Sequence, residues 1–491
     1  MIPIIYTRLK QLIEHNPHAT AIIRETEEIP YQAVLHEADN LVQVFKKFGL
    51  NAETPLAIVL QKSEVIWAAI VAASQLNISV MLVDPHLKEE EMQQIMTMYK
   101  TRYVLREINS TAIDSLGYDE WYDLSCFSHA FSIGNIGVQA TCWNEYIQPS
   151  INQSYLVFLT SGSTKIPSAV VKTIESVMFD GKRVGQSLGI TPEDRVLCVA
   201  PIYHVFGSIC GCFAPFLSGA AVSFTGAYVL PSSLEKKIHK QSCNILMGLP
   251  VHYKMLVQHI NKPLDQIRIA LSSTSPLSDE LLLSCKEKLN VFIQNIYGSS
   301  ETGAISIQRN HLSISESTNV GQPLDGVLVK LDETNPFEFD GKTVYELLIK
   351  SESLAKGYLR KEDSDDCEYV LQDGWWRTGD LSYLSGEFEL HIVGRLNITI
   401  NVNGKKVNPY EIEEVLSKHP AIVDAVVVGQ HDFTRGEIPV AYVVANKQVT
   451  EIEILEHCRE RLSDFKVPRR IEFRDDLPKT AAGKVRRKEV K

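Results

Sequence analysis

An α/β multidomain fold is predicted by three features. Short apolar runs alternate with helical patterns up to about Gly321, short strands and turns follow, and strands and helices mix again after Arg395. The length agrees, since 491 residues exceed what one core supports and suggest about three units of roughly 150 residues. Hydrophobic residues make up 44% and charged residues 22%, a globular balance that excludes a mostly disordered or collagen-like chain. The expected architecture is a large N-terminal domain of two layered α/β sub-domains plus a small β-rich sub-domain, followed by a small α+β C-terminal domain. The boundaries fall at residues 1–395 and 396–491.

Each element has its own reason. Residues 37–48 (EADNLVQVFKKF) carry apolar side chains at helical spacing, whereas TPLAIVL (54–60) and ISVMLV (78–83) are short apolar runs suited to buried strands. The most apolar stretch, residues 65–83, is interrupted by Ser74, Gln75, Asn77 and Ser79, which fits a core helix running into a strand and no bilayer span. A second α/β region follows Tyr155, with YLVFL, RVLCVAP, AAVSF, CNILMGLP and IRIALSS as strands and residues 233–241 as a helix. From Gly321 the segments VLVKLDE, TVYELLIK, FELHIVG and NITINVNG read as short strands. Further on, Asn408 and Pro409 suit the cap and first turn of a helix whose Glu411, Glu413 and Glu414 lie near the positive end of its dipole. The strands AIVDAVVVG and VAYVVA and the helix ILEHCRERL complete the chain.

Charge narrows the ligands. Lys plus Arg is 49 against 60 for Asp plus Glu, a net charge of -11, which excludes broad attraction to nucleic acid or anionic membrane. An anionic ligand must therefore be held locally. Nine cysteines contain no C-x-x-C pair, and Cys210 with Cys212 has no second pair to complete a zinc site, so they read as reduced thiols of a cytoplasmic protein. The start, MIPIIYTRLKQLIEHNPHA, lacks the pattern of an export signal.

Two segments carry phosphate chemistry. Strand YLVFL runs into TSGSTKIPSAVVKT (160–173), where Thr160, Ser161, Gly162, Ser163 and Thr164 offer backbone N–H and hydroxyl donors to phosphate oxygens. The loop does not satisfy the Walker pattern, and on composition alone an ordinary Ser/Thr/Gly turn reads the same way. In NIYGSSETGAIS (295–306), Tyr297 can stack on a base, Gly298 allows a turn, Ser299 and Ser300 supply hydroxyls, and Glu301 can help hold Mg2+ through oxygen. A turn with a capping glutamate would use the same residues.

GWWRTGD (374–380), GRLNITINVNGKKVNPYEIE (394–413) and LPKTAAGKVRR (477–487) follow in order. With these five segments the chain, over nearly its whole length, resembles the adenylate-forming superfamily of acyl- and aryl-CoA synthetases, nonribosomal-peptide adenylation domains and firefly-type luciferases. VDP (83–85), PIYHVFG (201–207), LSSTSPLSDEL (271–281) and GQHDFTRGEIPVAYVV (429–444) extend the resemblance. It implies an acetyl-CoA synthetase-like fold with a mobile C-terminal domain. It also implies ATP-dependent conversion of a carboxylic acid to an acyl-adenylate, followed by transfer to a thiol. That thiol is CoA or, in a variant, the phosphopantetheine of a separate carrier protein. Lys484 is then the lysine bridging carboxylate and α-phosphate, and Glu301 supports Mg2+. Asp380 and Arg395 hold the ribose, and Tyr297 lies beside adenine. Ser272 and Ser273 join the nucleotide site with the 160–164 and 298–300 segments, Asn397 marks the hinge, and His204 lines or gates the carboxylate pocket. A monomer or homodimer is implied.

The sequence also departs from the family pattern. The phosphate loop has Lys165, Ser168 and Ala169 where the family has Gly, Lys and Gly, so the usual pyrophosphate-binding cation is missing. Lys165 or Lys172 can supply charge from another point, or the protein is a nucleotide-binding pseudoenzyme. At the hinge Asn397 replaces the family's Asp or Lys. At 201–207 no carboxylate faces a substrate amine, which points to an acid without an α-amine. Gly207, Ser208 and Gly211 leave room for a ring or short chain, or equally permit close helix packing.

Overall fold

The structure, a computed structural model, describes residues 4–99, 101–108, 118–126, 129–136, 153–160, 167–226, 229–274, 277–308, 318–339, 341–359, 373–386, 388–402, 405–432, 434, 436–479 and 485–490. The chain packs into two units. The first comprises Met1–Ile314, Leu324–Val327 and Ser351–Cys367, the second Ser315–Pro323, Leu328–Lys350 and Glu368–Lys491. The second unit thus takes in the β-rich segment as well as the residues after 395.

The first unit holds two sheets with parallel centres, as its apolar runs require. One runs in spatial order through Gly303–Ile307, Ile293–Ser299, Ile269–Ser272, Ile245–Gly248, Arg195–Cys198, Ala221–Phe224, Thr20–Ile23 and Glu28–Pro30. The other runs through Gly357–Leu359, Ser168–Thr173, Tyr155–Thr160, Val80–Leu82, Leu56–Val59, Tyr103–Glu107, His129–Ile136 and Tyr118–Cys126. The two α/β layers are therefore real, but the chain does not fill them one after the other. Thr20–Ile23 pairs with Ala221–Phe224, and Tyr155–Thr160 pairs with Val80–Leu82, both parallel. Apolar periodicity reports that a strand is buried and is silent about its partner.

Helices form where the apolar stripe dictates. Tyr31–Lys47 buries Val34, Ala38, Leu41, Val42 and Phe45, and Ser63–Gln75 is buried along nearly its whole length before the chain enters Val80–Leu82. No helix among the described residues is long and apolar enough to cross a membrane. The helix expected at 233–241 is Pro231–Lys240. The described cysteines are all free and buried.

In the second unit, Leu328–Phe339, Lys342–Lys350, Trp376–Ser385 and Glu389–Arg395 form an antiparallel sheet. A further sheet orders Lys405–Val407, Ile400–Val402, Gly436–Ala445 and Ile422–Asp432, with Arg470–Phe473 pairing Gly436–Ala445. Helices Pro409–Ser417 and Glu451–Arg459 bury Ile412, Leu416, Ile454 and Cys458 in a core shared with Ile400, Val427 and Val443. The Asn408 side chain accepts from Tyr410 N at 3.1 Å, the cap expected from the sequence, and its amide donates to Val393 O.

Candidate active site

The described nucleotide-segment residues of the first unit stand at carboxyl ends of strands, where open α/β sheets place ligands. Thr160 ends Tyr155–Thr160, and its hydroxyl donates to Ser168 O at 3.3 Å. Ser161, Gly162, Ser163, Thr164 and Lys165 lie outside the described residues. Ser272 ends Ile269–Ser272; its hydroxyl is buried and has no hydrogen-bond partner among the described residues. A buried hydroxyl without a partner is costly and suits a ligand-facing position. Ser273 follows it and is half-buried.

The 295–306 segment is a β-hairpin. Ile293–Ser299 continues through Tyr297 and Gly298 and turns back as Gly303–Ile307. A Cβ at Gly298 would collide with Gly303 O, so glycine permits the close crossing. Ser299 and Thr302 tie the turn: Ser299 N donates to Thr302 Oγ1 at 3.1 Å, and Thr302 N donates to Ser299 Oγ at 3.2 Å. This leaves Ser300 and Glu301 half-buried at its tip. Glu301 Oε1 accepts from the Tyr358 hydroxyl at 2.8 Å. The described residues contain no group of three or more His, Cys, Asp or Glu side chains able to hold a metal. One carboxylate whose second oxygen has no hydrogen-bond partner among the described residues fits Mg2+, which keeps most of its shell for water and substrate phosphate.

His204 precedes the short helix Val205–Ser208, with its N donating to Pro201 O at 3.1 Å and its ring 4.9 Å from Tyr203. Burial pushes the imidazole pKa down and the Asp84 carboxylate opposes it, so the ring is neutral near pH 7. The small residues after it serve packing. A Cβ at Gly207 would strike Pro201 O, and one at Gly211 would strike Cys198 Sγ. Gly211 lies in a π-helical stretch, Ile209–Phe213, which the sequence pattern did not reveal.

Lys172 is committed inside the fold. It stands four residues along the strand from Ser168, roughly 13 Å at strand rise. The side chain is fully buried, and its ammonium donates to Ser353 O. Burial lowers its pKa to about 8, against the pull of Asp180 and Glu301. Asp180 pairs with Arg183 at 2.7 Å, both buried. A lysine within AVVKT was the only sequence sign of this network. From about pH 8 to 10.5 the unfolded chain holds a proton that folded Lys172 has released, so this group's contribution to stability rises with pH. The stability difference, Lys172→Met minus native, is therefore expected to fall between pH 7.5 and 9.5, by on the order of 2 kcal/mol. A flat difference in paired melts would refute that titration.

In the second unit Asp380 and Arg395 are directly paired across two strands, with Arg395 Nε 2.7 Å from Asp380 Oδ1. Asn397 lies in the 3-10 turn Leu396–Ile398 that follows. Lys484 lies outside the described residues, but its flanks are anchored. Lys479 bridges Val485, Lys479 Nζ is 2.5 Å from Asp424, and Arg487 grips Glu413 through two bonds of 2.5 and 2.7 Å.

Hydroxyl-bearing turns at the carboxyl ends of parallel strands, with one half-buried carboxylate, make an α/β arrangement able to receive a nucleotide. Residues 9–359 match the family described as AMP-binding enzyme, and residues 411–484 match the AMP-binding enzyme C-terminal domain. The chain belongs to the AMP-binding enzyme family. It is 27% identical over 483 residues to a 2-succinylbenzoate–CoA ligase of Bacillus licheniformis, covering 98% of each chain. The solved o-succinylbenzoate CoA synthetase (MenE) of Bacillus subtilis superposes in complex with its acyl-adenylate intermediate at a TM-score of 0.83 and 24% identity, covering 99% of this chain and 97% of that one. ATP-bound MatB from Rhodopseudomonas palustris superposes at 0.85 and 20% identity, covering 100% and 98%. These likenesses bear out the acetyl-CoA synthetase-like fold.

Proposed function

We propose that the protein is an AMP-forming acid–thiol ligase. It activates a carboxylic acid lacking an α-amine with ATP and passes the acyl group to CoA. The observation that carries this is the family match across the nucleotide segments, joined to a 201–207 segment that offers a neutral imidazole and no carboxylate. The relatives named 2-succinylbenzoate–CoA ligase support an aryl acid of that type as substrate.

The substrate carboxylate oxygen attacks the α-phosphorus of ATP, pyrophosphate leaves with the bridging oxygen, and the acyl-adenylate remains. The CoA sulfur then attacks the acyl carbon and AMP departs. Carboxylate and phosphate charges repel by about 4 kcal/mol per pair at 4 Å and an effective dielectric near 20, so the site must supply positive charge. Lys484 supplies it at the α-phosphate. Mg2+, when bound, neutralises phosphate oxygens, and Glu301 is the residue that would hold it. Tyr297 packs beside the base, Ser272, Ser273 and the 160–164 and 298–300 segments hold the phosphates and backbone turns, and Asp380 with Arg395 holds the ribose. The C-terminal domain from residue 396 turns about Asn397 between the two half-reactions, in the cytoplasm.

The test is pyrophosphate release with 2-succinylbenzoate, substituted benzoates, short-chain acids and α-amino acids, followed by CoA or a holo-carrier protein. Release is expected with aryl acids, and thioester is expected on CoA. ATP binding without release for any acid would sink the enzyme reading, and thioester on the carrier alone would sink CoA as acceptor.

A further inference from the structure

Residues 351–359 form a strap across the Glu301 turn, and the fastening is more extensive than a surface crossing needs. Ala355 N donates to Glu301 O at 2.7 Å, and Ser353 Oγ donates to Thr302 O at 2.7 Å. Two buried cations hold the strap from beneath. Lys172 donates to Ser353 O, while Arg183 reaches Ser351 Oγ at 3.1 Å, Ser353 Oγ at 3.2 Å and Ala304 O at 2.6 Å. Asp180 balances them and accepts from Ala304 N at 3.0 Å. The strap then joins the sheet, with Lys356 N donating to Val171 O at 2.8 Å and Gly357, Tyr358 and Leu359 in register with Val171, Val170 and Ala169. This delivers the Tyr358 hydroxyl to Glu301 Oε1 at 2.8 Å.

We propose that Tyr358 is a positioning residue for the metal-holding carboxylate of Glu301, and that Lys172 and Arg183 fix the strap that carries it. The inference rests on the metal role proposed above for Glu301. A hydroxyl donating to one carboxylate oxygen restricts rotation of the group and leaves the other oxygen as the ligand. Partners of this kind contribute strongly to metal affinity because they orient the ligand before the metal arrives. Burying an ammonium and a guanidinium is costly, and bonds to backbone and hydroxyl oxygens on both the strap and the turn offset that cost only while the two stay together.

The test is Mn2+ binding to the full-length protein saturated with α,β-methylene-ATP, followed by electron paramagnetic resonance, for the native protein, Tyr358→Phe, Tyr358→His and Glu301→Gln. Tyr358→Phe is expected to weaken Mn2+ binding about 10-fold. Tyr358→His, which restores a donor, is expected to recover part of it. Native-like Mn2+ affinity in Tyr358→Phe alongside a loss in Glu301→Gln would overturn the positioning role while leaving Glu301 in place. Native-like affinity in both would overturn the metal role of Glu301, and the positioning role with it.

Discussion

Lys484→Ala is expected to slow adenylate formation by about 10²–10³-fold, the usual effect of removing one preorganised donor aimed at developing charge. Transfer from a preformed acyl-adenylate to CoA is expected to keep most of its rate, because the phosphate is by then a leaving group and no longer an electrophile needing a bridge to the carboxylate. The anchoring of the flanks makes the experiment clean. Lys479 is bridged to Val485 and paired with Asp424, and Arg486 N donates to Pro478 O at 2.8 Å, so truncating one side chain leaves the base of the segment tied. Single-turnover assays of the two half-reactions separate the outcomes, and equal losses in both would contradict the assignment.

Arg487→Met is expected to lower the stability of the second unit by about 3–5 kcal/mol, the cost of leaving a buried carboxylate without its cation. Both Glu413 oxygens are engaged by Arg487, Glu413 Oε1 also accepts from Val427 N at 2.6 Å, and Arg487 donates to Val427 O at 2.6 Å. The guanidinium lies 4.7 Å from the Tyr410 ring centre. Side-chain exposures of 19% for Arg487 and 16% for Glu413 place the pair out of the screened surface regime. Burial already pushes the Glu413 pKa up, and Arg487 opposes that rise. Without the arginine the carboxyl takes up a proton more readily, so the variant's deficit should narrow as pH falls from 8 to 5. Thermal melts at the two pH values check this, and a deficit independent of pH would mean the loss is one of packing. Adding Glu413→Gln to Arg487→Met should restore much of the stability, since the orphaned charge is then gone.

The sequence made the strands and many of the helices legible because burial imposes a period. YLVFL, AIVDAVVVG and residues 65–83 each carry enough apolar residues to declare their environment, and Asn408 with Pro409 announces a cap through backbone chemistry that is local. Spatial neighbours were not legible. Nothing in the first strand names Ala221–Phe224 as its partner, and nothing in GYL announces that it will pair with Ser168–Thr173. At the proposed site, Glu301 and the Asp380–Arg395 pair were expected from family motifs. Lys172 was read only as a possible phosphate-loop cation, and Asp180 and Arg183 were missed, because a buried ion network is assembled from distant segments and each member alone reads as an ordinary charged residue. Gly207 and Gly211 show the converse: sequence left pocket space and close packing equally open, and only the backbone path decided for packing.

The second unit is drawn from three separate stretches of chain, with residues 324–327 and 351–367 returning to the first. That interlacing governs how the protein can be recombined with its relatives. A crossover at residue 395 would exchange the helices and sheet that follow while keeping the parental Asp380–Arg395 hairpin. The incoming Asn408 equivalent would then have to satisfy a carbonyl, Val393 O, from the other parent. A crossover near residue 367 would move Val393, Arg395 and Asn408 together but leave Glu346, the carboxylate bonded to Arg377, behind. Either junction passes through a bonded pair, so productive hybrids should be those whose parents agree at these few positions, however different they are elsewhere.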